Sequence, residues 1–248
     1  MVFDSPFGGM KVVAHRGASG RAPENSISAI KLALDMKVDF VEVDVRMTGD
    51  GHLVLIHDKK IDRVTNGNGY VSKMHFKNIR KFDLIDGEKI PTLEEALELF
   101  RKEYANSKSK LRIHVKKPGY ENRVLNAIVS RGLSKKVRIV GRRPILRNFI
   151  AVMKQEKRYL ELGLAGYLQP LKIAKELKVV EGSPHISLLT RSYVEKAHKL
   201  GMEVFAWTIN DLETLVKAQK LGVDGVITDY PDRIISYLRR PAQSYLRP

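Results

Sequence analysis

The 248-residue chain has no cysteine. This excludes disulfides, thiolate metal ligands and a cysteine nucleophile, and it fits a reducing compartment. Nowhere is there an apolar run near the ~20 residues a membrane helix needs. The opening stretch, Met1 to Met10, carries Asp4 and Pro6 and no apolar core, so it reads as neither signal peptide nor anchor. A protein without a transmembrane segment, in the cytoplasm, is expected. Acidic residues are also scarce: 28 Asp and Glu against 44 Lys and Arg, a formal charge of +16. Such an excess draws anionic partners. The basic residues concentrate at Lys108–Lys117, Lys135–Arg147 and Arg239–Arg240. No helix-turn-helix, zinc-finger or aromatic RNA-binding pattern accompanies them, so no specific nucleic-acid partner is expected.

What is present is alternation. Strand patterns at 11–15, 40–46, 53–56, 111–115, 137–140, 159–164, 203–209 and 225–228 alternate with amphipathic helical patterns. A further strand within 179–189 is broken near Gly182 and Pro184. Asn25 or Ser26 caps the first helix. Thr92 and Glu95 form a capping box that opens another. Residues 59–91, with Asn66-Gly67-Asn68-Gly69 and Asp86-Gly87, break the rhythm and read as an inserted loop or small subdomain. About eight β/α units in this length predict one (β/α)8 TIM-barrel domain over residues 1–248. A doubly wound sheet would want G-x-G-x-x-G after its first strand, and Arg16-Gly17-Ala18-Ser19-Gly20 does not supply it.

Phe40-Val-Glu-Val-Asp-Val45 organises the rest. Side chains alternate along a strand, so Phe40, Glu42 and Asp44 share one face and Val41, Val43 and Val45 the other. In a barrel neither face meets bulk water. Two adjacent carboxylates there repel and lose hydration, unless a cation neutralises them at the C-terminal mouth. Oxygen ligands of this type suit Mg²⁺, Mn²⁺ or Ca²⁺. Other strands end in functional groups at the same mouth: His15 and Arg16, His57, and His114 with Lys116. A divalent cation, two fixed cations and two imidazoles describe phosphoryl chemistry.

These residues, read in order, resemble a known family. His15-Arg16-Gly17 with Pro23-Glu24-Asn25-Ser26, Glu42-Val43-Asp44, Thr48-Gly49-Asp50-Gly51, His57-Asp58, Ile90-Pro91-Thr92-Leu93-Glu94-Glu95, Trp207-Thr208-Ile209-Asn210 and Asp224–Pro231 are similar to the successive motifs of the glycerophosphodiester phosphodiesterases. The resemblance runs from Lys11 to Asp232. It implies a barrel with a small insertion between its second strand and second helix, at about 58–91. It implies a small-molecule substrate, a glycerophosphodiester, cleaved to glycerol 3-phosphate and an alcohol. His15 and His57 would be the acid/base pair, Glu42 and Asp44 metal ligands, and Arg16 and Lys116 phosphate clamps. Trp207 would stack on substrate at the mouth, and Asp229 would do no more than order the closing loop.

Two departures stand out. The family's Glu-x-Lys on the third barrel strand is here His114-Val115-Lys116. With His114 as third ligand, Mg²⁺, Mn²⁺ or Co²⁺ is favoured over Ca²⁺. Gly141-Arg142-Arg143 follows the fourth strand where Ser-Phe is usual; those arginines either add phosphate contacts or sit on the outer surface, and the surface is favoured. Two other readings compete. One is a lysophospholipase D or cyclising phosphotransferase, for which Met74, Phe76, Ile79, Phe82 and Leu84 of the insertion either build an acyl groove or form a small core of their own. The other is a non-catalytic polyanion-binding protein. The sequence does not set the oligomeric state.

Overall fold

A computed structural model describes residues 9–239, so most of Met1–Met10 and the final arginine of Arg239–Arg240 lie outside the described residues. The strands are β1 (Lys11–Ala14), β2 (Phe40–Met47), β3 (Leu53–Leu55), β4 (Lys110–Val115), β5 (Val137–Gly141), β6 (Glu161–Ala165), β7 (Glu181–Ser183), β8 (Glu203–Trp207) and β9 (Gly225–Thr228). All but β3 run parallel in the order β1-β9-β8-β7-β6-β5-β4-β2. Pairing of Val13 with Phe40 and Ala14 with Val41 closes the ring. The result is a (β/α)8 barrel. β3 is not one of its staves. It folds back antiparallel on the end of β2, with Val45 opposite Leu55, because Thr48-Gly49-Asp50-Gly51 makes a tight turn that a parallel crossover could not use.

The helices are α1 (Ile27–Asp35), α2 (Phe76–Ile79), α3 (Leu93–Glu103), α4 (Glu121–Val129), α5 (Arg143–Gln155), α6 (Leu171–Glu176), α7 (Arg191–Lys199), α8 (Leu212–Leu221) and α9 (Pro231–Arg239). Ser26, not Asn25, caps α1 by accepting from the Ala29 amide. Thr92 and Glu95 bond reciprocally at the start of α3, an arrangement worth about 1 kcal/mol. Val41, Val43 and Val45 face the helices and join the main apolar core with Leu93, Leu97 and Phe100. The segment between β3 and α3 makes its own small core of Val54, Ile56, Ile61, Val71, Ile79, Leu84 and Ile90. Met74, Phe76 and Phe82 pack against that core, so they do not form the acyl groove. Near 179–189 only Glu181–Ser183 is strand.

Inside the barrel, apolar layers give way to ions. Arg112 and Glu181 are 2% and 0% exposed. Arg112 donates to Glu181 at 2.7 and 3.0 Å. Arg138 donates to Glu181 at 2.8 Å, to Glu203 at 3.0 Å and to Glu161 at 2.9 Å. The Arg138 guanidinium also lies over the Phe40 ring at 4.7 Å. Burial would push the Glu181 carboxyl up, but Arg112 and Arg138 outweigh it and hold it at about 2. This network lies beneath the C-terminal mouth, where Arg112 comes within 4.0 Å of Glu42.

Candidate active site

The first strand ends in a left-handed turn. Arg16 has φ +57° and Gly17 φ +78°. A Cβ on Gly17 would meet the Ala29 backbone at 2.6 Å, so α1 could not pack as closely behind any other residue. The strained Arg16 backbone, a conformation costing of order 1 kcal/mol or more, has a visible use. It turns its amide onto Glu42 Oε2 at 2.9 Å. Its guanidinium then reaches Asp44 at 3.2 Å and Glu24 at 3.0 Å. Glu24 is in turn gripped by Arg63 of the insertion at 2.7 Å.

Glu42 and Asp44 are buried on the inner face of β2. The β2–β4 register sets Glu42 beside Arg112 and Asp44 beside His114. His114 Nδ1 lies 3.3 Å from Glu42 Oε1 and 3.5 Å from Asp44 Oδ1. The three ligand atoms fall within 4.8 Å of one another, a spacing that would admit one metal ion. Asn25 braces Asp44 from both sides: its carbonyl accepts from the Asp44 amide at 2.9 Å and its NH₂ donates to Asp44 Oδ2 at 3.2 Å. Lys116 Nζ lies 2.8 Å from Asp44 Oδ1, and Arg112 comes within 4.0 Å of Glu42.

Charge balance follows from those contacts. Burial pushes the Asp44 carboxyl up, but Lys116, His114 and Arg16 overcome this and hold it far below the usual carboxylate range. Burial and neighbouring Asp44 raise Glu42, and the bond from His114 and the charges of His15 and His114 bring it below its ordinary value. His114 is itself held low, first by burial and then by Lys116. Both carboxylates are thus ionised and His114 is neutral near pH 7, the states a metal requires of its ligands.

His15 and His57 are set alike. His15 Nδ1 lies 2.7 Å from Asp229 Oδ1, and His57 Nδ1 lies 2.7 Å from Asp58 Oδ1. Each carboxylate fixes its ring with Nδ1 protonated and Nε2 turned to the site. Asp229 does more than order a loop. It also holds Asn210 at 2.7 Å and Ser19 at 3.1 Å, and the bond to His15 helps bring its carboxyl to about 2 against the burial that raises it. The His57 loop is pinned by Arg46, which donates twice to the His57 carbonyl, at 2.7 and 2.9 Å. Burial and then Lys116 lower the His57 pKa.

A cavity of about 400 Å³ is lined by His15, Arg16, Glu42, His57, His114, Lys116 and Trp207. Asp44 lies just behind, bonded to Lys116. Every expected site residue is therefore at one place. Trp207 donates its indole N–H to the Ser183 carbonyl at 2.9 Å and stands beside Tyr167 and His185. Arg142 also lines the cavity, not the favoured outer surface, because β5 ends at Gly141 and delivers the next residue to the mouth. Arg143, one residue on, does lie outside, paired with Glu176. Asn25 and Asp229 are residues that sequence reasoning left without a site role, and Arg142 is one for which it favoured the surface. Asn25 and Asp229 lie within the quoted motifs, and nothing but position in the fold marks Arg142.

A parallel barrel with ionised carboxylates, imidazoles and fixed cations at its C-terminal mouth defines an enzyme built for anionic substrates. Residues 15–233 match the model of the glycerophosphoryl diester phosphodiesterase family. A curated glycerophosphodiester phosphodiesterase of Caldanaerobacter subterraneus is 36% identical over 92% of this chain and 98% of its own. The crystal structure of an Oleispira antarctica phosphodiesterase in complex with the product sn-glycerol-3-phosphate superposes with a TM-score of 0.78. It is 27% identical and covers 92% of this chain and 96% of that one. A glycerophosphodiester phosphodiesterase from Parabacteroides distasonis shares the fold at 23% identity and a TM-score of 0.79, over 96% of this chain and 99% of that one. The chain belongs to the glycerophosphoryl diester phosphodiesterase family, and it is a phosphoric diester hydrolase. No helix among the described residues is long and apolar enough to cross a membrane.

Proposed function

We propose that the protein hydrolyses glycerophosphodiesters to glycerol 3-phosphate and an alcohol, with His15 and His57 as the general acid/base pair and a divalent cation held by Glu42, Asp44 and His114. One observation carries this reading. Two histidines, each locked by a carboxylate 2.7 Å from Nδ1, present Nε2 to the cavity that the carboxylate–imidazole group borders. The bound cation would polarise a non-bridging phosphoryl oxygen and offset the charge that develops there. Arg16 and Lys116 flank the same position and bind the phosphate. One imidazole takes the proton from the attacking hydroxyl as the new P–O bond forms. The other protonates the departing alkoxide as the old P–O bond breaks, so the proton inventory closes. Attack by water gives glycerol 3-phosphate directly. Attack by the neighbouring glycerol hydroxyl gives a cyclic phosphate that water then opens in a second step, with the imidazoles in exchanged roles. Trp207 gives the glycerol carbons an apolar wall. Two carboxylates and one imidazole suit Mg²⁺, Mn²⁺ or Co²⁺ better than Ca²⁺, which prefers oxygen. The lysophospholipid reading loses its motive, since the apolar side chains of the insertion fill a core of their own.

The test is release of glycerol 3-phosphate from glycerophosphoethanolamine and glycerophosphoglycerol by chelator-treated protein, each divalent cation being restored in turn. Restoration by Mn²⁺, Co²⁺ or Mg²⁺ is expected. His15→Ala and His57→Ala should each lower kcat by roughly 10²- to 10⁴-fold. Near-wild-type turnover in either variant removes the acid/base assignment, and silence with every metal removes the substrate assignment.

A further inference from the structure

A second hollow of about 780 Å³ adjoins the catalytic cavity and shares Lys116 and Arg142 with it. It runs from the end of β2 to Tyr70–Ser72 of the insertion, with the loop after β4 opposite. Arg46, Lys59, Lys116, Lys117 and Arg142 line it, and no Asp or Glu does. Arg46 is engaged by the His57 carbonyl and Lys116 by Asp44. Lys59, Lys117 and Arg142 are exposed. None of the three forms an ion pair with a carboxylate among the described residues, whereas neighbouring Arg143 holds Glu176. Like charges collected in a concave wall focus a positive potential, and here the potential leads directly off the reaction centre.

We infer that this groove is an anion subsite for the leaving alcohol, so that the preferred substrates are diesters whose alcohol carries a second phosphate or carboxylate. The inference rests on the hydrolase reading above. Because Lys116 and Arg142 border both spaces, a diester with its phosphorus at the carboxylates sends one ester arm along Trp207 and the other into the groove. The glycerol arm fits the aromatic side. The leaving arm then meets Arg142, Lys117 and Lys59, which line that space. A second anion there finds cations without counter-charges, and a cationic alcohol such as choline is repelled. The inserted segment thereby acquires a role in the substrate preference of this chain, since it supplies Lys59 and the Tyr70–Ser72 wall.

An exposed charge pair is worth about 1.5- to 5-fold in an equilibrium constant. Lys59 and Lys117 together should therefore favour the doubly anionic substrate roughly 10-fold. The experiment compares kcat/KM for glycerophosphoglycerol and for the same diester phosphorylated on its terminal hydroxyl, in the wild type and in Lys59→Gln/Lys117→Gln. The wild type should prefer the phosphorylated diester about 10-fold at low salt, less at high salt. The double variant should lose that preference while turning over glycerophosphoglycerol as before. Equal kcat/KM values in the wild type, or a preference that survives the double substitution, overturns the inference. Calorimetry on His57→Ala protein, in which turnover is slowed, measures the same preference as binding. If neither diester is hydrolysed by the wild type, the hydrolase reading fails, and the calorimetric preference still decides the subsite: tighter binding of the phosphorylated diester, lost with Lys59 and Lys117, supports it, and equal binding refutes it.

Discussion

Replacing Glu181 by glutamine removes the one carboxylate that both buried arginines share. Arg138 keeps Glu161 and Glu203. Arg112 keeps Ser183 and is left without a close carboxylate, Glu42 being 4.0 Å away. Breaking a buried pair on one side costs about 3–5 kcal/mol, because a charge stays behind in a dry site. The carboxyl gives an independent figure. Its fall from 4.5 to about 2 corresponds to about 3 kcal/mol at neutral pH. In a protein of this size that is roughly 6–12 °C in Tm. The sign of the pH dependence is fixed. A carboxyl depressed by folding adds stability above its unfolded pKa, near 4.5, and loses it as pH falls towards about 2. Thermal melts of wild type and Glu181→Gln at pH 7, 5, 4 and 3 isolate this group, since all others titrate in both proteins. The gap in Tm should be widest at pH 7 and shrink steadily below pH 4.5. A constant gap, or none at pH 7, refutes the assignment of that stability to the Glu181 charge. The freed Arg112 should also turn towards Glu42, so Mn²⁺ affinity of the variant is expected to drop about 10-fold.

Two further substitutions probe the reacting groups. His114→Glu restores an all-oxygen ligand set and is expected to raise the rank of Ca²⁺ among activating metals. An unchanged rank order, measured with each cation added to chelator-treated protein, would show that His114 does not ligate. Asp229→Asn keeps the shape beside His15 and removes the charge that sets its tautomer. It should lower kcat on the order of 100-fold with little change in KM, and a KM effect alone in steady-state kinetics would place Asp229 in substrate binding instead.

The parts of the barrel that were legible in the sequence are those governed by local rules. Valine alternating with Glu42 and Asp44 announces an inner and an outer face, and the strand ends name the mouth. Thr92 and Glu95 announce their helix without help from the fold. What stayed hidden depends on distance along the chain. Leu53–Leu55 has the composition of any barrel strand, and only the turn before it reverses its direction. Arg112 and Glu181 lie 69 residues apart on strands that are not neighbours, so no pattern in either strand foretells their meeting. Asp229 reaches His15 because β9 pairs with β1, a closure that propensity does not encode. Arg142 and Arg143 are adjacent arginines with opposite destinations. One residue of register at the end of β5 decides which of them enters the site.

The same distances explain how a chain with 28 acidic residues among 44 basic ones stays both folded and selective. Many acids are spent inward or on ion pairs. Glu42, Asp44 and Glu181 are buried. Glu24, Glu161 and Asp229 are tied to Arg63, Arg138 and His15. Each such pairing cancels a negative and a positive charge together, so the formal excess of +16 stays with the cations left unpaired. An excess of that sign attracts anions at long range. It cannot by itself choose among them, because it acts on any anion at long range and salt screens it. Choice has to be made at contact, by cations that lack counter-charges and lie off the reaction centre. Lys59, Lys117 and Arg142 are placed there, and their effect on substrate preference should fade with ionic strength faster than that of Arg16 and Lys116, which are shielded from solvent beside Asp44.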